Sequence, residues 1–526
     1  MYPIVMNRTA RPARVTASIA MRWLASLALV GGLAACGDNL EGVPSDILPY
    51  AQYAALCAKP RSGSDAVTGD AFPDTQGSLL DEQLWIRSWT NDLYLWYKEV
   101  PDVDPTKYST AIDYFDQEKT LAKTASGKDK DQFHFTLDTA DWEAMSQSGV
   151  TAGYGIEWAL LANRPPRSLV IAFVQPGSPA ASPPANLDRG AKVLTIDGVD
   201  VQNGSDVDTL NHGLFPAGLA EKHTFVVIDR GATAQRSVTL TSASISLVPV
   251  QNAHALPAPN DKVGYVLFTD HIATAEKELI DAFTTLRDAG ITDLILDIRY
   301  NGGGYLDIAS ELAYMIAGPT ATAGKTFERI TFNDKHPDVD PVTGDKLTPE
   351  GFLAQAQGFS ATRGQALPYL TGLQHVFVLT SGETCSASEA VMNGLGGIDI
   401  PVIQIGETTC GKPYGFYPAD NCGTTYFSIQ FQGVNNKNFG DYADGFVPGI
   451  IFHGCTVPDD FTHALGDPAE GRVAAALLYR ATGGCPTAVA RRAQDPLAAA
   501  LGVVTPKSPW RQNRILTHAN GGRIAP

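Results

Sequence analysis

The chain is short of positive charge. Its 526 residues hold 39 lysines and arginines against 56 aspartates and glutamates, for a net charge of −17 and a pI near 5.0. Nucleic-acid binding leaves a basic footprint, so this balance argues against that class of work. Metal-type cysteine spacing is also missing, and no histidine-rich cluster accompanies the cysteines, so no metal site is expected. Histidines number only 10 and are scattered. The apolar run at residues 23–33 is shorter than the roughly 20 residues that a membrane-crossing helix needs. What remains reads as globular: 44% of residues are hydrophobic and 18% charged. The length suggests two or three folded units.

The N-terminus carries an export pattern. Arg8, Arg11, Arg14 and Arg22 precede the apolar run, and Leu33-Ala34-Ala35-Cys36 closes it. A positive region, a short apolar region and a small-residue cleavage site describe a secretory signal peptide over residues 1–36. Met21 offers a second, tighter start. Leu-Ala-Ala-Cys resembles a bacterial lipobox, which implies that Cys36 is lipidated and anchors the protein to a membrane on the periplasmic side of the cell envelope. Gly37, standing where an aspartate would signal inner-membrane retention, points to the outer membrane over the inner. An ordinary signal peptide is the alternative. Export also changes how the other six cysteines read. Cys57, Cys385, Cys410, Cys422, Cys455 and Cys485 are expected to form disulfides in an oxidising compartment, and their spacing alone does not choose the pairs.

Along the chain, residues 37–76 read as a tether held by Cys57. Residues 77–142 read as a helical N-terminal domain. There Trp85, Trp89, Leu93 and Trp96 fall on one face of a helix expected from Asp81 to Tyr97. Residues 143–250 are β-rich and punctuated by turns. Gly153-Tyr154-Gly155-Ile156, Pro176-Gly177-Ser178-Pro179-Ala180, Leu187-Asp188-Arg189-Gly190 and Ile196-Asp197-Gly198 follow in order. That series resembles a PDZ domain. The resemblance implies that the N–H groups of Tyr154-Gly155-Ile156 hold a C-terminal carboxylate while the peptide adds as a strand; a small β-domain with no peptide site is the alternative. From 257 to 485 strands and helices alternate, which predicts an α/β core. Residues 326–370 interrupt it as a polar excursion. Residues 486–526 form a tail rich in Ala, Arg and Pro.

Three segments of the α/β region carry chemistry. Asp297-Ile298-Arg299-Tyr300-Asn301-Gly302-Gly303-Gly304 ends a buried strand, and its glycines let backbone N–H groups approach a substrate closely. Ser381-Gly382-Glu383-Thr384-Cys385-Ser386-Ala387-Ser388-Glu389 places a serine at a helix N-terminus, where developing negative charge is favoured. Gly406-Glu407-Thr408-Thr409-Cys410-Gly411-Lys412 puts a lysine after a strand. No histidine lies in any of them, which argues against a Ser-His-Asp triad.

In this order the segments resemble the C-terminal processing peptidase family, the S41 serine peptidases, over roughly residues 77–485. The resemblance implies a crotonase-like core of ββα units, with the PDZ-like domain upstream and the helical domain before it. It implies Ser386 as nucleophile, Lys412 as general base, Gly303 and Ala387 as oxyanion N–H donors, and Glu389 orienting the dyad from one helical turn away. The implied activity is cofactor-free cleavage of exported or unfolded proteins, acting on protein or peptide substrates at C-terminal segments through an acyl-enzyme. Two features depart from the family pattern. Lys412 follows Ser386 by one residue more than the family spacing, which the Gly396-Gly397 turn can absorb. Cys410 replaces the family's phenylalanine, while Cys385 directly precedes the nucleophile. If the dyad forms, those two cysteines come together, so the resemblance implies a Cys385–Cys410 disulfide. A non-catalytic peptide-binding lipoprotein of the same fold and a tricorn-like protease borrowing a distant histidine are the rival expectations.

Overall fold

The computed structural model describes residues 43–65, 69–216, 218–486 and 514–515. Cys36 and the whole expected signal peptide lie outside the described residues, as does most of the 486–526 tail. Among the described residues no helix is long and apolar enough to cross a membrane.

Short apolar runs build the central sheet. Val263–Phe268, Asp293–Asp297 and Val402–Gly406 are buried along their whole lengths, and His375–Thr380 nearly so. Strands covered on both faces have no polar side to alternate with, which is why they read as continuous runs. Pairing sets the order Val250–Ala255, Val263–Phe268, Asp293–Asp297, His375–Thr380, Val402–Gly406, His453–Thr456. All neighbours run parallel except the first pair. Val266, Phe268, Leu294, Leu296, Val376 and Val378 face one way, under helices Ala275–Asp288, Leu306–Thr322 and Ala387–Gly397. Tyr265, Leu267, Ile295, Phe377, Leu379 and Ile405 face the other way, toward helix Gly471–Thr482. The alternation is the period-two rule of a strand applied to a sheet with two dry faces. The chain is thus a mixed α/β protein.

The aromatic stripe forms a helix, but a shorter one. Leu79–Leu93 starts at Ser78, which exchanges capping bonds with Asp81, and Trp85 stacks on Trp89 at 5.3 Å. The helix ends a turn before Tyr97 because two tertiary bonds win over its propensity. Tyr94 Oη donates to Asp131 at 2.7 Å, and Leu95 N donates to Ile429 O at 2.8 Å. Trp96 therefore leaves the stripe and sits edge-on to Tyr414 at 4.7 Å. This N-terminal region is stitched into the core. Strand Phe135–Asp138 pairs with Thr424–Phe427, and Cys57 is bonded to Cys422.

The β-rich module holds its own core, with strands ordered Gln235–Thr241, Lys222–Ile228, Lys192–Ile196, Ser168–Val174, Ile156–Ala162. Arg189 fixes it to the α/β core. The buried guanidinium donates to Asp459 Oδ1 and Tyr300 Oη, each at 2.7 Å.

The excursion is less detached than its composition suggests. Glu276, fully buried, accepts the N–H groups of Gly358, Ser360 and Ala361 at 2.7–2.8 Å. Beside it, burial and the Glu276 charge push the Glu311 carboxyl up to about 9. A value above the unfolded 4.5 means that folding binds a proton there. The stabilising contribution is therefore full below about pH 4.5 and drains away as pH rises toward 9. Glu311→Gln keeps a neutral side chain at all pH. It is expected to raise the thermal unfolding midpoint at pH 8, with the gap closing toward pH 4.5. Melting curves at both pH values check this; an equal shift at both would contradict it.

Candidate active site

The sheet order explains why distant segments meet. Asp293–Asp297, His375–Thr380 and Val402–Gly406 are adjacent parallel strands, so the loops leaving their carboxyl ends lie side by side. Ligand sites of α/β sheets gather at such ends. The three chemistry-bearing segments are those three loops.

Ser386 is fully buried at the start of helix Ala387–Gly397, with φ 59° and ψ −117°. A left-handed φ on a serine is strained, and strain of this kind recurs at functional sites. Its Oγ takes part in no hydrogen bond. Ala387, the first helical residue, is also buried.

Glu389 clasps the serine loop to the lysine loop. Its Oε2 accepts Ser386 N at 3.0 Å and Lys412 N at 2.8 Å. Its Oε1 accepts Thr409 Oγ1 at 2.5 Å and Gly411 N at 2.9 Å. Burial raises this carboxyl, and the four donors pull against that rise. Cys385 and Cys410 are bonded with their Cα atoms 5.2 Å apart, a second tie between the same loops. Cys455–Cys485 is the third disulfide. Among the described residues, the groups of cysteines and a carboxylate whose donor atoms converge are Cys57-Glu82-Cys422 and Cys385-Glu389-Cys410. In both, the sulfurs are joined to each other rather than free as thiolates.

Lys412 is fully buried. Its Nζ lies 4.7 Å from the centre of the Phe133 ring and 4.5 Å from that of Phe416. Removal from water disfavours an ammonium in general, which is the condition for an amine to act as a base, whereas ring faces at these distances attract a cation.

The glycine loop is held by Asn301, a residue the motif contained but gave no role. Asn301 Oδ1 accepts Gly303 N at 2.9 Å, and its Nδ2 donates to Phe268 O at 3.1 Å. Its backbone carbonyl accepts Cys385 N at 3.1 Å and Ser388 Oγ at 3.0 Å. One residue thus supports both the glycine loop and the serine turn. His271 meets the same Oδ1 through Nδ1 at 3.0 Å. Burial drives its imidazole down to about 3, so it is neutral near pH 7. Gly304 cannot carry a side chain, because a Cβ would lie 2.4 Å from His271 O. His271 was hidden in the sequence. Its only signal was its place just past the carboxyl end of a buried parallel strand.

The β-rich turn is placed elsewhere. Tyr154 is buried, and Gly155 at φ 76° packs so close to Ser178 that a Cβ would stand 2.3 Å from it. Ile156 opens Ile156–Ala162, the outermost strand on that side of its sheet.

The chain is similar to known proteins. Residues 262–416 match the family model described as Peptidase family S41, and residues 81–124 match Peptidase S41 N-terminal domain. The first match spans all three loops. These matches support the S41 peptidase family. A carboxyl-terminal-processing protease of Synechocystis sp. is 30% identical over 169 residues, covering 32% of this chain and 38% of that protein. Carboxyl-terminal-processing peptidase 1, chloroplastic, of Arabidopsis thaliana is 25% identical over 294 residues, covering 52% of this chain and 55% of that protein. The chain thus matches only about two fifths to just over half of these relatives' own lengths. The crystal structure of a putative S41 protease from Bacteroides fragilis superposes with a TM-score of 0.55 at 23% identity, covering 79% of this chain and 98% of that one. It shares the fold.

Proposed function

We propose that the protein is a serine endopeptidase of the C-terminal processing type, acting on exported or unfolded proteins through a Ser386–Lys412 dyad. The observation that carries this is the Glu389 clasp. One buried carboxylate oxygen lies within 3.0 Å of the backbone nitrogens of both Ser386 and Lys412. It sits where the carboxyl ends of three adjacent parallel strands converge. In this reading neutral Lys412 takes the Ser386 proton, and Oγ attacks the scissile carbonyl. The C–N bond breaks as Lys412 returns the proton to the leaving amine, and water releases the acyl group. Ala387 N–H and Gly303 N–H stabilise the tetrahedral oxyanion. Gly303 N–H must then leave Asn301 Oδ1, and a charged oxyanion is the stronger acceptor.

The finer parts of the reading attach to this. The module at 143–250 acts as a PDZ-like reader, with Tyr154-Gly155-Ile156 holding a substrate's terminal carboxylate and edge strand Ile156–Ala162 pairing with its backbone. Cys36 carries a lipid that keeps the enzyme on the periplasmic face of the envelope. The core is crotonase-like.

The testing experiment incubates the purified protein with an unfolded protein bearing an apolar C-terminal tag, and reads products by intact mass. Fragments cut near the C-terminus, with weaker cleavage when the tag is amidated, are expected. A substrate left whole under all conditions would favour the peptide-binding reading instead.

A further inference from the structure

The C-terminal tail comes back to the site. Arg514–Ile515 form a short strand parallel to Gly304–Tyr305, with Arg514 opposite Gly304 and Ile515 opposite Tyr305. The same two residues pass beside Tyr414–Gly415, the strand that starts two residues after Lys412. The tail backbone therefore runs between the glycine loop and the lysine loop. In the proteolytic reading, a substrate has to pass beside these same two loops to present its carbonyl to Ser386.

Gly304–Tyr305 is built to receive a strand. One edge is already used: Gly304 bridges His271, and Tyr305 N donates to His271 O at 2.9 Å. The tail takes the opposite edge. A backbone edge with unmet N–H and C=O groups is a template for an added strand, and such pairing reads backbone rather than side chains. We infer that Gly304–Tyr305 is the edge on which the site seats an extended peptide, and that the chain's own segment at Arg514–Ile515 is its resident occupant, which a substrate has to displace. This rests on the proteolytic reading above for its consequence, though not for its geometry.

The seating is tested in the full chain. Arg514→Pro/Ile515→Pro removes both backbone donors of the tail strand and fixes its φ. In a Ser386→Ala background, the amides of residues 303–306 are expected to exchange with deuterium at least several-fold faster once the prolines are present. Equal exchange would overturn the inference. A tethered segment competes at an effective concentration on the order of millimolar, so with Ser386 intact the prolines are expected to raise kcat/KM on an added unfolded substrate by about tenfold, chiefly through KM. A synthetic peptide spanning residues 508–522 is expected to inhibit the proline variant competitively; inhibition that substrate cannot relieve would also count against the seat. If neither chain cleaves any substrate, the proteolytic reading fails, and the exchange result still decides whether the tail is seated.

Discussion

Lys412→Ala is expected to lower kcat/KM by on the order of 10⁴ or more, and Ser386→Ala by a similar factor, with the double variant no worse than either. Groups that act as one unit lose their effect together, so the second deletion finds little left to remove. The expectation follows from how the site is built. Ser386 Oγ is buried and donates to no neighbour, Lys412 included, so the proton transfer requires the two side chains to close on each other when substrate binds. Lys412 stands between Phe133 and Phe416 with its backbone fixed by Glu389. Lys412→Arg should not rescue, because a guanidinium stays protonated and cannot serve as a base. Each variant should be shown to melt as the parent does, which separates lost chemistry from lost fold. Full activity in Lys412→Ala would reject the dyad and turn attention to His271. That imidazole is neutral and buried beside the glycine loop.

The sequence made the three loops legible because each is a local signal. A strand end followed by glycines, a serine opening a helix and a lysine after a strand can all be read without knowing what lies opposite. Their adjacency was legible only through family resemblance, since strand order is not written in any one segment. What stayed hidden depends on long-range partners. Asn301 stood in plain view, yet its work is done on Gly303, His271 and the serine turn, and His271 is 30 positions away. Trp96 fitted the helical stripe by spacing alone, and two tertiary bonds at Tyr94 and Leu95 took it off the helix. The excursion read as polar surface because its anchor, Glu276, lies 82 to 85 positions upstream. Arg189 was one letter of a turn motif in the β-rich module, and its partner Asp459 is 270 positions on.

That partner belongs to the second large expectation. Arg299→Ala should destabilise the fold by about 3–5 kcal/mol, the usual cost of removing one member of a buried ion pair. Arg299 is fully buried. It donates to Asp297 at 2.9 Å, to Asp459 at 2.6 Å and to Glu470 at 2.7 Å. Without it, Asp297 keeps the hydroxyl of Tyr265, and Asp459 keeps Arg189 and the hydroxyl of Tyr300. Glu470 loses its side-chain cation and keeps backbone donors from Arg472 and Val473. Arg299→Lys should recover little, since one ammonium cannot match a fork that serves three carboxylates. The effect should reach the active site as well. Arg299 O accepts Ser381 Oγ, and Asn301 stands only two residues further along. Tyr300, between them, is the point where Arg189 fastens the β-rich module. Loss of Arg299 should therefore lower stability and loosen the glycine loop together, with residues 300–304 exchanging deuterium faster than the sheet they leave. Urea unfolding of parent and variant measures the first part. A change below about 1 kcal/mol would mean that the network behaves like a solvated surface pair, and the link from module to glycine loop through Arg299 would fall with it.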